Sequence, residues 1–205
     1  MNKTNTKDLV LVALFSAVIL IMAFTPMIGY IPLGFTRATI IHIPVIIGSV
    51  ILGPKKGAFL GFLFGLTSLI NNTINPTVTS FAFTPFFSLG NAEPSWLSLI
   101  VCFVPRILVG VVPYYVRKLT KKASDFVSFA LAGLLGSLTN TILVMNLIYL
   151  FFKESYAAAQ NKAVEVLYSA ISSIIVINGV PEAIVAAVIT LAICKALTKA
   201  LKTEI

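Results

Sequence analysis

Apolar runs broken by short polar punctuation set the rhythm of this chain. Residues 9–28 carry no charge, and neither do residues 126–152. Each run is longer than the roughly 18 residues that mark a membrane-spanning helix. The pattern predicts six such helices, at 8–27, 38–52, 56–70, 95–116, 125–151 and 180–200, forming one domain over residues 1–205. Residues 156–177 are long enough for another helix, but Gln160, Asn161, Lys162 and Glu165 interrupt them. They are read as a partly amphipathic element leading into the last span.

Composition strengthens this picture. The 205 residues are 58% hydrophobic and only 11% charged, where a soluble domain carries about 25% charged residues, and the mean hydropathy is +1.00. The first apolar run is longer than the 7–15 residues of a signal-peptide core and ends at Thr25-Pro26 without a small-x-small cleavage site. It is therefore expected to be a permanent helix.

The net charge of +8 would point to nucleic acid in a soluble protein. Here its distribution explains it. With six spans, eleven of the fifteen basic residues fall on one side: Lys3, Lys7, Lys55, Lys56, Arg117, Lys118, Lys121, Lys122, Lys195, Lys199 and Lys202. Only Arg37, Lys153 and Lys162 fall on the other, and Arg106 lies within a span. Cytoplasmic loops collect Lys and Arg, so both termini are expected inside, in an all-α six-helix bundle of the cell membrane. No nucleic-acid partner is expected.

The connections differ by side. Those on the basic side are short, whereas residues 71–94 form a long, nearly uncharged stretch with Phe81, Phe83, Phe86 and Phe87, and Trp96 just beyond. Such a loop either folds over the bundle as a lid or lies among lipid headgroups, which Phe and Trp also suit. Gly57, Gly61 and Gly65 form a small-xxx-small ladder that lets helices approach closely. Ala13 and Ala17 repeat that spacing in the first helix, where either internal packing or a partner-facing surface would use it.

Polar side chains inside a membrane are costly, usually face the bundle interior and are candidates for function. Arg106 follows Pro105, whose missing N–H frees a carbonyl in the preceding turn. Its guanidinium could clamp a carboxylate or pair with Glu182. Asn178 and Glu182 are four apart and share a helix face, although Gly179 and Pro181 also read as a helix start with Glu182 at its positive end. Asn140 and Asn146 are six apart, about 240° around a helix, so they cannot both face one site. His42, Asn72 and Asn75 complete the candidate substrate-binding set. One histidine, and cysteines (Cys102, Cys194) without metal-type spacing, argue against a metal site. No catalytic constellation or phosphate loop appears, so neither enzymatic activity nor a cofactor is expected.

These features resemble the substrate-binding membrane subunits (S components) of energy-coupling factor, or ECF, vitamin transporters. The resemblance covers nearly the whole chain. Residues 31–70, VPRILVG (104–110) and NGVPEAIVAA (178–187) look most like pantothenate-type members. It implies a subunit that captures a vitamin from outside, with the loops after the first helix and between the third and fourth closing over it. It also implies docking, through Ala13 and Ala17, on a membrane coupling subunit that works with two ABC ATPases. The subunit would then reorient in the membrane to deliver its cargo. Pantothenate has one carboxylate, for which Arg106 or Arg37 is the expected cation. The competing readings are an S component for another vitamin or its precursor, and a self-contained secondary transporter. The latter often shows two related halves, and no internal repeat is evident here.

Overall fold

The computed structural model describes residues 6–25, 29–33, 36–88 and 94–201. It is helical apart from one small hairpin. Helix α1 (Thr6–Phe24) leads to the antiparallel strands β1 (Tyr30–Leu33) and β2 (Thr36–Thr39), with Tyr30 opposite Thr39. There follow α2 (His42–Leu52), α3 (Pro54–Ile74), α4 (Leu97–Val109), α5 (Val112–Leu119), α6 (Asp125–Ala159), α7 (Val164–Ile174) and α8 (Val180–Leu201). Five helical stretches are long and apolar enough to cross a membrane, and α2 is a shorter apolar helix.

Local chemistry explains most boundaries. Gly53 adopts φ 89°, and Pro54 opens α3 immediately after it. A left-handed glycine ends one helix while proline starts the next without a wasted donor. The predicted single span 95–116 is broken at Gly110–Val111. Pro113 cannot donate to the carbonyl one turn back, and the chain restarts as α5. Ser124 caps α6 by accepting from the Val127 amide at 3.4 Å.

Three expectations need correction. The segment 156–177 divides: α6 runs on to Ala159, with a non-helical break at Phe152, and only from Val164 does α7 lead into the last span. The region from 180 is not a fresh helix start either. Helical backbone passes from α7 through a π-helical turn at Ile175–Gly179 into α8. Pro181 removes a hydrogen bond from that ladder, and the widened turn just before it accommodates the loss. Finally, residues 38 and 39, expected in the second helix, belong to β2.

Packing places α2 at the centre. Every residue from His42 to Val50 is buried, as suits a helix apolar all round. It packs against α1, α3, α5, α6 and α8. Its 11 residues rise only about 16 Å, half the roughly 30 Å of a bilayer core. The space beyond its N-terminal end is left to the hairpin and to a cavity. The glycine ladder of α3 faces α4: a Cβ on Gly57 would collide with the carbonyl of Gly110, and one on Gly61 with that of Arg106. At the basic end, Lys56 pairs with Asp8, and Arg117 with Asp125 at 2.6 Å.

The loop after α3 folds onto the bundle over its described part. Ser80–Ala82 form a 3₁₀ turn; Phe81 is buried and meets Phe152 edge-on at 6.0 Å. Phe86 and Trp96 are exposed and meet edge-on at 6.3 Å. The described part of the loop thus buries Phe81 against the bundle and leaves Phe86 exposed. Residues 89–93 of the expected lid lie outside the described residues.

Candidate functional site

A cavity of about 100 Å³ lies between α3, α4, α6, α8, β2 and the loop after α3. On the same measure, about 10–15 Å³ holds one water, so there is room for a small organic molecule. At 1.5 Å per residue from the basic end, Ser68 and Asn140 stand about 20 Å in, and Ile148 and Asn178 about 34 Å; the Arg106 backbone lies deeper, beside Gly61. The cavity is therefore elongated along the helices. Its deep layer is polar and cationic; Val144, Met145 and Ile148 make an apolar wall above it.

Arg106 is the chemical centre of the deep layer. Pro105 leaves the Val101 carbonyl without its helical donor, and Arg106 Nη1 donates to that carbonyl at 2.8 Å. The guanidinium carbon sits 5.0 Å from the Phe83 ring centroid and 5.6 Å from that of Phe64, within range of favourable cation–π contact. Proline, arginine and two phenylalanines thus fix the cation at 5% exposure. Asn140 lies in the same layer, and among the described residues its Oδ1 has no hydrogen-bond partner.

Asn72 donates to the Ser68 carbonyl at 2.8 Å and accepts from Ser80 Oγ at 2.7 Å. It lines the cavity and at the same time holds the covering loop. Asn178 lies in the π-helical turn, and Glu182 one turn on accepts from the Thr39 amide at 3.0 Å. Five of the eight expected residues therefore meet at one cavity: Arg106, Asn140, Asn72, Asn178 and Glu182.

The other three lie away from it. His42 is packed at the first residue of α2. Asn146 donates to its own helix, to the Ile142 carbonyl at 2.7 Å, as its angular offset from Asn140 requires. Asn75 caps the exposed end of α3. The side chain of Arg37 lies outside the described residues. Sequence reasoning missed Tyr156, Thr39, Thr141, Thr77 and Thr79, all of which line the cavity. The signal for Tyr156 was a polar-tipped aromatic in a segment taken for a connection. The threonines gave none, because their hydroxyls can bond within a helix or turn anywhere.

Comparisons with known proteins bear on this site. A family model described as "ECF transporter, substrate-specific component" matches residues 7–194. The chain is 39% identical over 202 residues, 98% of each chain, to "Pantothenic acid transporter PanT" of Lactococcus lactis subsp. cremoris. It is 33% identical over 161 residues, 74% of this chain and 72% of the other, to "Pantothenate transporter PanT" of Leuconostoc mesenteroides subsp. mesenteroides.

Proposed function

Because the chain belongs to the family of substrate-specific components of ECF transporters, we propose that it captures pantothenate at the outer face of the membrane for an ATP-driven importer. The observation that carries the vitamin's identity is the 39% identity, over 98% of both chains, to a relative named for pantothenic acid. The cavity chemistry supports it. Pantothenate carries a carboxylate at one end, an amide in the middle and two hydroxyls at the other. The carboxylate goes down to Arg106, where a guanidinium can bind it in bidentate fashion. The unpartnered Asn140 Oδ1 supplies an acceptor for a ligand donor, and Asn178 stands nearer the mouth to meet polar groups of the upper end.

In this reading the chain crosses the membrane six times, α2 with its hairpin counting as one crossing, and both termini face the cytoplasm with the basic end. Ala13 and Ala17, both exposed on α1, are the docking pair for a membrane coupling subunit. Two ABC ATPases power the assembly, and the subunit reorients to release its cargo inside.

The test is calorimetric titration of a vitamin panel into the purified, detergent-solubilised chain. Nanomolar binding of pantothenate alone is the expected result. Tight binding of another vitamin would keep the capture role and replace the substrate. Uptake by this chain alone in liposomes would instead favour a self-contained secondary transporter.

A further inference from the structure

A two-stranded hairpin has two open edges, and in a membrane protein an unpaired backbone N–H away from water costs several kcal/mol. Thr39 sits at the end of β2, opposite Tyr30. Its amide donates out of the sheet to the Glu182 carboxyl oxygen at 3.0 Å, across 143 residues of sequence. Both residues line the cavity. Glu182 follows Pro181 and the π-helical turn, so the irregular helix sets the height at which its carboxyl group meets the strand.

We infer that Glu182 is a positioning residue that latches the end of β2 in place and so holds Thr39 in the cavity wall. The bound ligand is retained for as long as the Thr39 amide stays on that carboxyl group. The donor belongs to the backbone, so the latch needs only an acceptor at position 182 and not a charge. A direct contact between Glu182 and a ligand hydroxyl would instead use the charge, and would be indifferent to the amide at position 39. For its ligand this inference rests on the capture-subunit reading.

A double-mutant cycle on the intact chain, followed by pantothenate dissociation, separates the two. Glu182→Ala and Thr39→Pro each remove one partner of the bond. Each is expected to raise the dissociation rate about tenfold, and the double variant no further, as for two changes to one interaction. Glu182→Gln keeps an acceptor oxygen and is expected to stay within about twofold of the parent. The inference is overturned if Glu182→Gln behaves like Glu182→Ala while Thr39→Pro matches the parent, or if the effects of the two single changes add.

Hydrogen exchange of the peptide spanning residues 36–41 provides a readout that needs no ligand. Glu182→Ala should speed exchange there while leaving α3 and α6 protected; unchanged exchange overturns the latch. Failure of the parent chain to bind pantothenate would refute the functional proposal instead, and exchange would still decide the latch.

Discussion

At the scale of single residues, Arg106 shows how a costly group is made tolerable. A guanidinium deep in a membrane protein needs partners, and here the proline before it supplies one by releasing the Val101 carbonyl. Arg106→Ala is expected to weaken pantothenate binding by about 10–100-fold, the range for losing a hydrogen bond to a charged group. Arg106→Lys keeps the charge but loses the planar fork and the fit between Phe64 and Phe83, so it should recover only part of the affinity. Titration calorimetry of the two variants checks both. Equal binding by Arg106→Ala and the parent would remove the carboxylate from this position.

Elements act here through their irregularities. Gly61 lies against the Arg106 backbone, so Gly61→Leu would drive α4 away from α3 and carry the guanidinium with it. Overpacking of this kind costs about 1–3 kcal/mol. The expected outcome is a lower unfolding temperature together with weaker ligand binding, read by thermal unfolding with and without pantothenate. The π-helical turn before Pro181 gives a gentler case. Pro181→Ala restores a backbone donor and favours a regular helix, which shifts Asn178 around the axis. Affinity should fall while the unfolding temperature stays the same or rises; an unchanged affinity would show that the widened turn does not set the site.

At the scale of the whole molecule, α1 is peripheral. Its buried residues Phe15, Ile19 and Ala23 form one narrow stripe at intervals of four. Ala13 and Ala17 point the other way and are exposed. If that smooth face docks on a coupling subunit, bulky side chains there should block transport without touching capture. Ala13→Trp with Ala17→Trp is expected to leave pantothenate affinity within about twofold and to abolish ATP-dependent uptake by the assembled transporter in proteoliposomes. Uptake at the parent's rate would place the docking surface elsewhere.

Hydrophobic run lengths determined by themselves that this is a helical, multi-pass membrane protein, because a bilayer accepts few alternatives. Polar residues in apolar runs pointed to Arg106, Asn140, Asn178, Glu182 and Asn72 for the same reason: each is too costly to keep facing lipid. The 240° offset between Asn140 and Asn146 was also legible, since helical geometry is local. Only the tertiary structure decided the rest. Pro181 reads as a helix start in any sequence, and that a π-helical turn carries the helix through it depends on what surrounds it. The hairpin lies in a stretch whose strands are only four residues each, too short to separate from loop by pattern. Thr39, Thr141 and Tyr156 became cavity residues because a half-length central helix leaves space above it, and that space exists only once the neighbouring helices have packed.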